Sequence, residues 1–92
     1  MNKKELRYHG KPIIRKGSKI FYGNLNDRYI LVLTVTETSK FQDMDIASKV
    51  KVEIQDNKGT VGSGHTYRKT ERGNIYSALD IGSFWLSQAL DN

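Results

Sequence analysis

Residues 74–90 read NIYSALDIGSFWLSQAL. At 100° per residue, Ile75, Ala78, Leu79, Gly82, Trp85, Leu86, Ala89 and Leu90 fall on one stripe, the spacing of an amphipathic helix. This is the one segment with a clear helical period, so the rest of the chain has to supply the surface it packs on. Asn74 suits the N-cap, where its side-chain oxygen accepts from a backbone N–H of the first turn. A glycine inside a helix costs about 1 kcal/mol against alanine. Gly82, in the middle of the apolar stripe, therefore predicts close approach to another element. Trp85, the single tryptophan of the chain, can then cover a large apolar area beside the gap.

The opposite face of the same helix reads Ser77, Asp80, Phe84, Ser87, Gln88 and carries one charge, that of Asp80. A single exposed aromatic is ordinary on a protein surface. A face this poor in charge is also what a covered face looks like. Phe84, Ser77, Ser87 and Gln88 are accordingly the candidates for an interface with a protein partner or a second copy of the chain.

Working back from the helix, the run His65–Thr70, HTYRKT, reads as a strand, and Asp56-Asn57-Lys58-Gly59 before it as a turn. Residues 47–56, ASKVKVEIQD, alternate: Val50, Val52 and Ile54 point one way, and Lys49, Lys51, Glu53 and Gln55 the other. Residues 28–38, RYILVLTVTET, are rich in β-branched residues and apolar on both sides at first, as a central strand should be. Residues 39–46, SKFQDMDI, between these two runs, are expected to be a connection with a single helical turn. Residues 11–23, KPIIRKGSKIFYG, read as a hairpin turning at Lys16-Gly17-Ser18, with Pro12 suited to an edge strand.

The fold expected is α+β: an antiparallel sheet of four to five strands with one C-terminal amphipathic helix packed on one face. Ninety-two residues make one domain. Its expected division is a basic N-terminal arm, residues 1–10, followed by a single α+β domain, residues 11–92. The chain has no cysteine, which removes disulfides, Cys-containing zinc sites and thiol chemistry together. No apolar run approaches the roughly 18–20 residues that span a bilayer, and the basic start lacks the apolar core of a secretory signal. The expectation is a cytoplasmic protein without a membrane partner.

The net charge of +5 is unevenly placed. Residues 1–20 carry seven basic side chains against Glu5 alone, a net +6, and the remainder of the chain is −1. Clustered basic residues are the electrostatic footprint of a nucleic-acid binder. Aromatics also interleave with cations at Arg7-Tyr8, at Lys19-Ile20-Phe21-Tyr22 and at Tyr67-Arg68-Lys69, a combination that suits phosphates and stacked bases. The alternative is that these rings are simply sheet packing. Arg7, Lys11, Arg15, Lys16 and Lys19 are the candidate phosphate contacts, joined by Lys49, Lys51, Arg68 and Lys69 on the wet side of the sheet. No RNP-like motif, helix-turn-helix or zinc finger accompanies them.

Other chemistry has less behind it. Asp43 and Asp45 are two carboxylates two apart, but the further ligands and the glycine of a calcium loop are missing, so they read as solvated loop residues. The run Gly62-Ser63-Gly64-His65 has small residues and exposed amides of the kind that hold phosphate, yet it lacks the P-loop pattern and precedes a strand rather than a helix. His65 has no identified nucleophile or orienting partner. No catalytic, cofactor or metal site is assigned. The chain reads as a small basic non-enzymatic binding module, associated with nucleic acid, or alternatively as a protein-interaction or self-associating module using the face around Phe84.

Overall fold

The computed structural model describes residues 6–24, 26–57 and 64–91, with side chains from Tyr8 onward. The strands are β1 (Leu6–Tyr8), β2 (Lys11–Lys16), β3 (Lys19–Tyr22), β4 (Tyr29–Phe41), β5 (Met44–Asp56) and β6 (Thr66–Arg72), followed by α1 (Ile75–Leu90). All strands belong to one antiparallel sheet in the order β1-β2-β3-β4-β5-β6. The expected α+β architecture holds. Five strands run between Lys11 and Arg72, and residues 6–8 add a three-residue edge strand beside β2.

Because directly opposed residues of antiparallel strands share a face, the register sorts the sheet into rows. Ile13, Tyr22, Leu31, Ile54 and Arg68 form one row, and Arg15, Ile20, Leu33, Val52 and Thr70 the next. Val35, Val50 and Arg72 make a third. Helix α1 lies on this side, against β4, β5 and β6. The core is Ile20, Tyr22, Leu31, Leu33, Val50, Val52 and Ile54 from the sheet, with Ala78 and Leu86 from the helix. Ile75, Leu79, Trp85, Ala89 and Leu90 pack around it, half-buried, as the stripe requires.

Both local expectations for the helix are met. The Asn74 side chain accepts a hydrogen bond from the Ser77 amide at 2.7 Å. Gly82 is buried against the central strand: a Cβ there would stand 2.6 Å from both methyl carbons of Leu31. The missing side chain lets the helix axis come close to β4 at its most apolar point. Inside the same core the Tyr22 hydroxyl donates to the Tyr8 carbonyl at 2.6 Å. Burial pushes its pKa above the usual tyrosine value, and the neighbouring Tyr8 adds to the shift.

Residues 39–46 differ from expectation. They hold no helical turn: β4 runs on to Phe41, β5 begins at Met44, and Gln42-Asp43 is a two-residue hairpin turn. Both turn residues have positive φ, 50° and 67°, the pattern whose twist matches that of the flanking strands. β3 pairs with β4 up to Thr34, and β6 pairs with β5 from Val50 on. Beyond those points β4 and β5 continue as a two-stranded ribbon. Phe41 opposes Met44 and Ser39 opposes Ile46, so the three apolar side chains share one face of the ribbon. Phe41 is 60% and Met44 65% exposed.

Candidate nucleic-acid interface

The face of the sheet away from α1 gathers lysines that are distant in sequence. Lys16 opposes Lys19 across the β2–β3 turn, Lys19 opposes Thr34, Thr34 opposes Lys51, and Lys51 opposes Glu71. With strands about 4.8 Å apart, this row crosses β2 to β5 in roughly 14 Å. The adjacent row is Ile14, Phe21, Val32, Glu53 and Lys69. Lys16, Lys19, Lys51 and Lys69 are all exposed, beside a half-buried Phe21 and an exposed Ile14. Lys19 Nζ lies 3.5 Å from Thr34 Oγ1. The face also holds two carboxylates, Glu53 and Glu71. Glu53 is engaged by the Thr66 hydroxyl at 3.1 Å and by Gln55 Nε2 at 3.4 Å.

The other basic candidates are not part of these two rows. Lys11 pairs with Asp27 at 3.4 Å in a half-buried contact. Lys49 pairs with Glu37, also at 3.4 Å, where the ribbon leaves the sheet. Arg15 sits in a helix-side row, and its Nε donates to the Gly17 carbonyl at 3.2 Å. Arg7 opposes Pro12 on β1, and its side chain lies outside the described residues. Arg68, expected on the wet face, is on the helix side. The register slips between Ile54 and Gln55, so that Thr66 opposes Gln55 while Arg68 opposes Ile54. The slip gives β6 one extra residue and turns Arg68 toward α1.

Arg68 is thereby part of an assembly that the sequence did not announce. Its guanidinium stacks over the Trp85 ring at 4.2 Å, and its Nη1 donates to Gln88 Oε1 at 3.3 Å. Arg28, Tyr29, Ile54, Tyr67 and Ala89 complete an open groove of about 540 Å³ with these three. Tyr67 meets Tyr29 edge-to-face at 5.2 Å and His65 at 4.8 Å. The Arg28 guanidinium lies 5.7 Å from the Tyr29 ring centroid. A smaller recess beside it is lined by Arg28, Tyr29, Asp56, Asn57 and Tyr67. Of this assembly, only Arg68 and Gln88 were candidates from sequence. Tyr67-Arg68-Lys69 was the one local signal, and the remainder depends on β4, β6 and α1 meeting.

Among the interface candidates on α1, Phe84 is 58% exposed, Ser77 is half-buried and Ser87 exposed. Phe84 and Ser77 border a shallow depression with Arg72, Asp80 and Ile81. Gln88 faces the Arg68 groove instead. Tyr76, not a candidate from sequence, is the most exposed of the large rings at 86%. Asp43 sits in the ribbon turn, and Asp45 opposes Lys40 with a 3.4 Å ion pair. Among the described residues, no group of three or more His, Asp or Glu side chains is placed to hold a metal ion, and no helix is long and apolar enough to cross a membrane. Of the candidate phosphate loop, Gly62 and Ser63 lie outside the described residues. In comparisons with known proteins, the chain matches no family model, no curated protein and no solved structure.

Proposed function

We propose that this chain is a small, non-enzymatic module that holds nucleic-acid phosphates on the open face of its sheet. The observation that carries this reading is the cross-sheet row of Lys16, Lys19 and Lys51, with Lys69 in the adjacent row. Each of these lysines is exposed, and none of the three ion pairs of the described side chains involves them. Lysines so placed attract a polyanion and release its counterions on binding. Lys11 and Lys49, already paired with carboxylates, contribute less.

Anisotropy titrations of labelled single- and double-stranded oligonucleotides, from low to physiological salt, test the reading. Log affinity should fall linearly with log salt. For single strands the slope is about −0.7 per phosphate contacted, so three or four lysines give roughly −2 to −3. Binding that ignores salt, or none at low salt, contradicts it.

A second reading has its own support. Phe84 and Tyr76 on α1, and Phe41, Met44 and Ile46 on the ribbon, are large, apolar and exposed. These suit a contact with a protein, a second copy of the chain being the simplest. Sedimentation of the wild type, Phe84→Ser and Phe41→Ser decides the self-association form: a concentration-dependent dimer weakened by either change supports it. A monomer at high concentration in all three removes it.

A further inference from the structure

The groove between α1 and the β5–β6 end of the sheet is chemically unlike the lysine face. We infer that it receives a single nucleotide unit, with an unpaired base against Tyr67 and the Arg68 guanidinium and its phosphate near Arg28. This inference rests on the nucleic-acid reading and narrows it to nucleic acid with at least one unstacked base.

The argument starts from the two exposed planar groups. Tyr67 is 57% exposed, although its edge is fixed by Tyr29 and His65. The Arg68 guanidinium is backed on one side by Trp85 and tethered by Gln88, yet the residue is exposed. Such a guanidinium is a prepared stacking surface: its rotamer is already fixed, and bases stack on arginine planes as they do on aromatic rings. Two cations with no carboxylate among the residues lining the groove suit an anion joined to the ring. Asp56 borders the smaller recess with Arg28 and Tyr67, and Glu53 a separate depression with Tyr67 and Arg68; neither lines the groove itself. The Gln88 amide is a polar group of the kind that reads a base edge. A volume of about 540 Å³ lies within the usual range of small-molecule sites. The groove is also adjacent to the lysine face: Lys69 follows Arg68 on the edge strand β6 and points to the opposite side. A strand on the lysine face can therefore turn over β6 and place one base in the groove.

A tryptophan in the wall makes the test direct, because Trp85 is the single tryptophan of the chain. The full-length protein is titrated with an oligo-adenylate strand, with an abasic strand of equal length, and with adenosine monophosphate, reading both anisotropy and tryptophan emission. The base-containing strand should shift the emission saturably and bind roughly 5- to 100-fold more tightly than the abasic strand. Tyr67→Ala, at an exposed position of the edge strand, should abolish most of that preference and leave abasic binding unchanged, while Tyr67→Phe retains it; Arg28→Ala, which removes a phosphate contact, should weaken both strands. An emission shift with the monophosphate means that a free nucleotide also enters; a shift with the strand alone assigns the site to nucleic acid, and both support the inference. Equal binding of the two strands with unmoved emission overturns the inference and leaves the phosphate reading standing. Failure of both strands to bind overturns the phosphate reading, and the inference falls with it.

Discussion

At Gly82 the general preference of helices is reversed by packing. Alanine normally stabilises a helix by about 1 kcal/mol over glycine. Here the added methyl would meet the two Leu31 methyls at 2.6 Å, and Leu31 is fully buried with little room to turn. Gly82→Ala should therefore lower stability by about 1–3 kcal/mol, read as a lower denaturant midpoint in a two-state urea titration. Asn74→Ala should cost about 1 kcal/mol in the same experiment, since it removes the acceptor for the Ser77 amide. Tyr22 gives a pH dependence. Its folded pKa lies above the unfolded value of 10.0, so the unfolded chain loses its proton first as pH rises. The stability this residue contributes is intact below pH 10 and declines as pH climbs toward the folded value. Alkaline denaturation should steepen there, and Tyr22→Phe should flatten that limb. Asn74 and Gly82 were legible in the sequence because a cap and a mid-helix glycine are local signals. The side taken by Arg68 was not. A single slip between Ile54 and Gln55 exchanges the two faces for everything after it, and no residue of HTYRKT marks the slip.

Among the elements, the ribbon is where local reading and structure part. Periodicity located β4 and β5 where each has a core to face, and stopped where the core stops. Past Val35 on β4 and before Val50 on β5, the two strands pair only with each other among the described residues, and the hydrophobic pattern no longer reports a sheet. The turn was also unmarked, since Gln42-Asp43 lacks the glycine that positive φ favours. A left-handed non-glycine residue is strained by about 1–2 kcal/mol. Replacing Asp43 with glycine should recover a good part of that, about 1 kcal/mol, and raise the thermal midpoint. An unchanged or lower midpoint would mean that the turn is not left-handed there. Phe41→Ser and Met44→Ser, by contrast, should change monomer stability by less than about 0.5 kcal/mol, because these side chains touch solvent and not the core. What they alter is association, and comparing unfolding with sedimentation separates the two. The helix was the element read most completely, since all eight positions of its stripe are buried or half-buried.

For the molecule as a whole, the meander explains how a charge bias confined to the first twenty residues becomes a surface. β2 and β3 bring Lys16 and Lys19 to one side, and β5 and β6 add Lys51 and Lys69 to the same side from the acidic remainder of the chain. All four are candidates from the sequence; the register shows that they share one face. It also shows that Arg15 and Arg68 leave for the helix side, and that Lys11 and Lys49 are paired with carboxylates. Polyanion binding as proposed rests on a small set of exposed lysines, not on the net charge of +5. The most direct test is the salt dependence of single-stranded oligonucleotide binding by the wild type and by the triple variant Lys16→Ala, Lys19→Ala, Lys51→Ala. All three sites are exposed, so the variant should fold with an unchanged circular dichroism spectrum. The variant should show a log–log salt slope shallower by about 2, with weaker binding at every salt concentration. An identical slope and affinity in the two proteins would contradict the proposed polyanion binding.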